Sequence, residues 1–166
     1  MNTLFKNLLI AACIATAGGA WAADWAPGST SWEQLPDIKR TKLGLYLTPQ
    51  QAYDMKKANP KAVALFDVRT RAEAMYVGMP TMADGLVPYV EHQELMTDWD
   101  ERRHMYQLMA NSDFLPEAEG RLNAKGLTKA DRVILICRSG DRSARAADLL
   151  ANAGYTQVYS IIDGFE

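Results

Sequence analysis

The segment RVILICRSGDRS, residues 132–143, is the part of the chain that says most about its fold. Its apolar run, residues 133–136, is β-branched and aliphatic, which is typical of a buried strand. Cys137 follows at once, and a short polar loop containing Gly140 comes next. Residues 144–151 are rich in alanine and leucine and predict a helix. The sequence therefore predicts strand, loop and helix, with a thiol at the turn.

This turn favours chemistry at Cys137. A loop that enters a helix N-terminus directs several backbone N–H groups at one point, where the helix dipole adds about half a positive charge. Such surroundings favour the thiolate, which is the nucleophilic form of cysteine. Arg138 and Arg142 add charges suited to an oxyanion, and Gly140 permits a tight backbone path. A buried structural cysteine is the alternative, but the two arginines favour a reactive thiol.

The motif VILICRSGDRS at 133–143, with Gly-Tyr at 154–155 and Val-Tyr at 158–159, resembles the active-site region of single-domain rhodaneses, which are sulfurtransferases. The segment FDVR at 66–69 resembles the end of an earlier strand in that family. The resemblance spans residues 47–166, although the stretch between these segments matches poorly. It implies an α/β, three-layer fold with a mostly parallel sheet flanked by helices.

The resemblance also implies a reaction. Cys137 would take a sulfane sulfur, become a persulfide, and pass the sulfur to a thiophilic acceptor such as cyanide or a thiol. The loop would hold the persulfide and a small anionic donor such as thiosulfate, through Arg138, Ser139, Gly140, Asp141, Arg142 and Ser143. We expect no metal or organic cofactor. The alternative is a non-catalytic module that carries persulfide for a partner protein.

A phosphatase-like or oxyanion-reducing enzyme is the third hypothesis. Cysteine-dependent phosphatases have a similar loop with arginine six positions after the cysteine, whereas position 143 here is serine and the arginine is Arg142. The shorter ring of amides leaves less room for a tetrahedral phosphate, so sulfur transfer ranks higher.

Asp67 and Arg69 follow the predicted strand at 62–68, at the end where open α/β sheets bind their ligands. In one interpretation Asp67 orients the cysteine loop and Arg69 pairs with Glu73, and in the other both are ordinary caps and solvated charges. We favour the first for Asp67, because charged residues are rarely buried without a partner. Two helix starts are predicted from capping boxes, one at Thr48 to Gln51 and one at Thr70 to Glu73. The next strand is expected over 86–90.

Residues 91–126 depart most from the family pattern. The spacing of Met105, Leu108 and Met109 predicts a helix, and a second helix is expected over 116–125. We read this region mainly as a long crossover between parallel strands. Candidates for selecting donor or acceptor are Trp99, Arg102, Arg103 and Tyr106. His92 and His104 match no short metal motif.

The first residues are predicted to be a signal peptide, residues 1–22. A short apolar stretch at 8–17 precedes Ala-Trp-Ala at 20–22, so cleavage is expected after Ala22. A lipoprotein site at Cys13 is the weaker alternative because the apolar segment before it is too short. The apolar run is also too short for a retained membrane anchor. The chain is therefore expected to be periplasmic or secreted.

Removal of the signal peptide leaves Cys137 as the one cysteine of the chain. An unpaired cysteine in an oxidising compartment indicates a reactive thiol. Residues 23–46 are expected to form an irregular arm, with Trp25 and Trp32 packed on the domain. Residues 47–166 form the predicted domain. The family that the chain resembles continues with a further turn and helix, so a shortened C-terminus is an alternative.

The whole chain carries 18 Lys and Arg against 20 Asp and Glu, a net charge of −2. This balance argues against nucleic acid or an anionic membrane as a partner.

Overall fold

The computed structural model describes residues 34–165. The predicted signal peptide, Trp25 and Trp32 lie outside these residues. The described part of the predicted arm contains a 3₁₀ turn, Asp37–Lys39, and residues 40–45 connect this turn to the first strand. Within 34–165, no helix combines the length and the apolar character needed to cross a bilayer.

The central element is a five-stranded parallel sheet. Its strands are β1 Tyr46–Leu47, β2 Val63–Asp67, β3 Gly85–Leu86, β8 Arg132–Ile136 and β9 Val158–Ile161. They lie in the order β1-β9-β8-β2-β3. The helices are α1 Pro49–Ala58, α2 Arg71–Val77, α3 Phe114–Ala124 and α4 Asp141–Asn152. The predicted α/β fold with a mostly parallel sheet is confirmed.

Helices cover both faces of the sheet, which gives three layers. Val133 and Leu135 of β8 face a core cluster that includes residues of α3 and α4. Ile134 and Ile136 face a second cluster, which includes residues of α1. Side chains alternate along a strand, so Cys137 belongs with Val133 and Leu135 and lies on the α4 face.

The two predicted capping boxes are present. Thr48 and Gln51 exchange hydrogen bonds at the start of α1, and Thr70 and Glu73 do so at the start of α2. Each box satisfies backbone N–H groups that a helix start leaves unpaired. These helix starts were predictable because every contact in them lies within one turn.

The single strand expected over 86–90 is wrong. The chain forms β3, then leaves the sheet, and β4 Val90–His92 pairs elsewhere. Pro88 lies between them and lacks the N–H that a continuous strand would need. Tyr89 N–H instead binds the Val68 carbonyl, beyond the end of β2.

The helix expected around Met105 is also wrong. This region holds two small antiparallel pairs, β4 with β7 Leu108–Ala110, and β5 Trp99–Asp100 with β6 Met105–Tyr106. The Asp100 carboxylate accepts the N–H groups of the two residues at the turn, 102 and 103, and so favours a hairpin. Short apolar runs do not distinguish strand from helix by spacing alone.

The candidate residues in this region therefore lie on a hairpin. The rings of Trp99 and Tyr106 pack edge to face across it, with centroids 5.1 Å apart. Arg102 and Arg103 occupy its exposed turn. The second helix of the region is present as α3, which begins two residues before the predicted start.

Candidate functional site

The cysteine loop lies at the carboxyl end of the sheet. β8 pairs with β2 on one side and β9 on the other, so the loop after β8 lies beside the residues that follow β2. From β8 the chain crosses to β9, whereas from β2 it crosses to β3 on the opposite side. Such reversals open a crevice in which α/β proteins bind ligands.

Gly140 shapes the loop and contacts the sulfur. It is the N-cap of α4 and has a φ of 97°, in the left-handed region that favours glycine. An added Cβ would overlap the carbonyl oxygen of Ile162. Its N–H donates to Cys137 Sγ at 3.1 Å. Gly140 therefore supplies both the predicted tight path and one of the predicted amide contacts.

Cys137 lies at the N-terminus of α4 and is fully buried. Its sulfur is 3.5 Å from the Ser143 hydroxyl and 3.8 Å from the Asp141 carboxylate. The amide of Gly140 and the helix dipole favour an anionic sulfur, whereas the Asp141 carboxylate opposes it.

Asp141 is held as a carboxylate beside the sulfur. Burial alone would raise its pKa, but hydrogen bonds from the Arg142 N–H and the Ser139 hydroxyl outweigh burial and lower it. The Ser139 hydroxyl therefore donates its hydrogen bond to Asp141 in this structure. Arg138 has an exposed side chain, and its carbonyl accepts a hydrogen bond from Phe165 N–H.

Arg142 forms a two-bond ion pair with Glu73. Its Nη1 and Nη2 lie 2.7 and 2.6 Å from the two carboxylate oxygens. Burial raises the pKa of Glu73, but the Arg142 pair and the Thr70 hydrogen bonds prevail and lower it to about 2. Both terminal nitrogens of Arg142 are thus engaged, so the predicted donor-binding arginine also joins α4 to α2.

The predicted pairing of Arg69 with Glu73 is wrong. The buried Arg69 pairs with Asp67 of its own strand end, Nη2 to Oδ2 at 2.6 Å, and also donates to the Gly78 carbonyl. The Oδ1 of Asp67 also accepts the backbone N–H of Arg69, which holds the carboxylate against the guanidinium. Glu73 is instead turned toward Arg142 by its capping contacts with Thr70.

Asp67 reaches the cysteine loop through Arg69 and Phe165. The Arg69 guanidinium lies 3.8 Å from the centre of the Phe165 ring, a cation–π contact. Phe165 N–H in turn donates to the carbonyls of Cys137 and Arg138. Asp67 is thus connected to the cysteine loop through these two residues, and its orienting role stays a prediction.

Two residues at this site were missed from the sequence, Glu73 and Ser160. Glu73 was recognised as part of a helix cap and as a partner for Arg69, but its pairing with Arg142 was not foreseen. Ser160 interrupts an apolar strand, and its hydroxyl lies 2.8 Å from that of Ser143. A serine inside a buried strand needs a hydrogen-bond partner, which is the signal that could have identified it.

The described residues 34–165 contain no group of three histidine, cysteine, aspartate or glutamate side chains placed to hold a metal ion.

Known proteins of similar sequence identify the family of the chain. The Rhodanese-like domain model matches residues 48–166. An uncharacterized protein of Rickettsia rickettsii is 33% identical over 116 residues, which are 70% of this chain and 79% of that protein. An uncharacterized protein of Rickettsia prowazekii is 34% identical over the same shares of the two chains.

Solved structures are similar as well. The crystal structure of Rv0390 from M. tuberculosis has a TM-score of 0.52 and 31% identity, over 72% of this chain and 77% of that one. A polysulfide-sulfur transferase homodimer from Wolinella succinogenes has a TM-score of 0.47 and 22% identity, over 72% and 69%. The family model covers most of the sequence, and the chain belongs to the rhodanese-like domain family.

Proposed function

We propose that the protein is a sulfurtransferase that carries sulfane sulfur on Cys137. The observation that carries this proposal is the position of the Cys137 sulfur, at the N-terminus of α4 with the Gly140 N–H 3.1 Å away. These groups stabilise an anionic sulfur without a histidine base, and an anionic sulfur is required both to attack a donor and as a persulfide.

The reaction balances without a cofactor. The Cys137 thiolate attacks the outer sulfur of thiosulfate and forms a new S–S bond. The S–S bond of thiosulfate breaks, and sulfite leaves with its electron pair. Cyanide or a thiolate then attacks the outer sulfur of the persulfide, and Cys137 is released as thiolate.

Intact mass of the full chain, in a Cys13→Ser background, tests this cycle. Thiosulfate should add one sulfur atom, cyanide should remove it, and Cys137→Ser should gain none. A folded protein with a free thiol that gains no sulfur from thiosulfate would contradict this donor.

One observation favours the carrier alternative. Cys137 is fully buried and a carboxylate lies 3.8 Å from its sulfur, and both features oppose entry of a free anionic donor. A protein partner that delivers persulfide would then replace thiosulfate. Turnover separates the two functions, since a carrier loads sulfur but releases it slowly to cyanide or a small thiol.

We also propose export, on the pattern of residues 1–22. Expression of the full chain in a bacterium with separate analysis of periplasm and cytoplasm tests this. The expected result is a periplasmic protein whose mass corresponds to a start at Ala23, and an uncleaved cytoplasmic chain would contradict it.

A further inference from the structure

Three buried side chains lie in a row behind the cysteine loop. Cys137 Sγ is 3.5 Å from Ser143 Oγ, which is 2.8 Å from Ser160 Oγ. Cys137 and Ser143 are fully buried, and Ser160 is 1% exposed. Ser160 belongs to β9, outside the loop that carries the cysteine.

The protons of this row can be counted. Each hydroxyl has one proton to donate. If Ser143 donated its proton to Ser160, that proton would not be available for a hydrogen bond to the sulfur. Among the described residues, Ser143 Oγ is the hydrogen-bond partner of Ser160 Oγ. Donation from Ser160 to Ser143 therefore satisfies Ser160 and leaves the Ser143 proton for the sulfur or for the Gly140 carbonyl.

The Gly140 carbonyl does not need that proton. It lies 3.2 Å from Ser143 Oγ, but it also accepts the backbone N–H of Ala144 at 3.3 Å. Ser143 can therefore turn its proton to an anionic sulfur without leaving a buried carbonyl unpaired. A chain of hydrogen bonds that all point one way also strengthens its last member.

We propose that Ser160 is a positioning residue, which donates to Ser143 and so directs the Ser143 hydroxyl at the Cys137 sulfur. The row then runs from Ser160 to Ser143 to the thiolate. With a neutral thiol the last bond reverses, because the S–H donates to Ser143 Oγ. The extension of this role to the inner sulfur of a persulfide rests on the proposed function, whereas the role toward the thiolate does not.

The test follows ionisation of Cys137 in the full chain with Cys13→Ser, so that one thiol is observed. Thiolate absorbance and the rate of iodoacetamide alkylation are measured against pH, with Cys137→Ser as the blank. The variants are Ser160→Ala, Ser143→Ala and the double variant. Ser160→Thr and Ser160→Val form a matched pair, since they have nearly the same shape and only threonine keeps the hydroxyl.

We expect Ser160→Ala to raise the pH midpoint by about half to one unit, a roughly three- to tenfold change in the ionisation equilibrium. Ser143→Ala should raise it further, and the double variant should match Ser143→Ala, because Ser160 acts through Ser143. Threonine at 160 should keep a lower midpoint than valine.

An unchanged midpoint in folded Ser160→Ala overturns the proposal, and so do additive shifts in the double variant. If Ser160→Ala does not fold, equal midpoints for the threonine and valine variants overturn it. None of these readings needs a sulfur donor. If the midpoints shift but the protein takes up no sulfur, this inference holds and the proposed function is contradicted. If the protein takes up sulfur but the midpoints do not shift, the proposed function holds and this inference is overturned.

Discussion

Arg142 of α4 and Glu73 of α2 form a parallel pair of hydrogen bonds, 2.7 and 2.6 Å long, which join the helix that follows the cysteine loop to α2. The two side chains are 14% and 23% exposed, so water screens the pair only in part. Glu73 also caps its own helix through Thr70. One carboxylate thus holds together the starts of two helices and the arginine beside the reactive loop.

Replacement Glu73→Gln should lower the free energy of unfolding by about 2–3 kcal/mol, because it removes the negative charge and one of the two hydrogen bonds that the mostly buried Arg142 donates. Glutamine keeps an acceptor for the helix cap. Urea denaturation measures the change. The control is Glu91→Gln, because its partner Arg71 is 66% exposed. This variant should lose much less free energy of unfolding than Glu73→Gln. Equal losses in the two variants would contradict this reading of the Arg142 pair.

Stability should fall in acid over a defined range. The pKa of Glu73 is about 2 in the folded protein against an ordinary 4.5, so the unfolded chain binds the proton more readily. This contribution is present above pH 4.5 and disappears as the pH falls toward about 2. It amounts to about 3 kcal/mol. Denaturation at a series of pH values should show a weaker acid dependence for Glu73→Gln, and an unchanged dependence would be inconsistent with the pair.

Asp141→Asn should speed the loading of sulfur from thiosulfate by several-fold or more. The substitution removes a negative charge 3.8 Å from the sulfur, which opposes both the thiolate and an anionic donor. The second-order rate of persulfide formation, followed by mass, is the measurement. Asp148→Asn is the control, since Asp148 lies in the same helix and binds the Lys42 N–H instead. An equal or slower rate for Asp141→Asn would show that this charge does not limit the donor.

Gly164→Ala should lower the free energy of unfolding by more than the positive φ of Gly164 alone explains. Gly164 has a φ of 69°, and an added Cβ would overlap the Arg138 carbonyl. Gly44→Ala is a matched control, because Gly44 has a φ of 62° with no heavy atom within 4 Å of the added Cβ. The control should cost about 1–2 kcal/mol.

The extra loss at Gly164 reports the contact with the cysteine loop, and Phe165 N–H should then no longer hold the carbonyls of Cys137 and Arg138. Thermal unfolding of both variants and sulfur loading of the Gly164 variant are the measurements. If the two glycine variants lose the same stability, the close approach at Gly164 has no energetic role.

The sequence alone was sufficient for the elements whose causes are local. The boxes at Thr48 and Thr70 lie within one helical turn each, so the starts of α1 and α2 follow from neighbouring residues. The apolar run before Cys137 and the helical pattern after Gly140 placed the thiol at the correct end of the sheet. Alternation along β8 also places Cys137 on the same face of the sheet as Val133 and Leu135.

Tertiary structure decided which charged and hydroxyl groups meet. Glu73 and Arg142 are 69 residues apart, and Ser143 and Ser160 are 17 apart. It also decided that Met105 lies in a hairpin, because pairing with Trp99–Asp100 there replaces a helical turn. Local periodicity states which face of an element is buried, but it carries no information about the element that will cover that face. The partners of Arg142 and Ser143 are therefore set by strand order and helix packing, which bring distant segments together only in the folded chain.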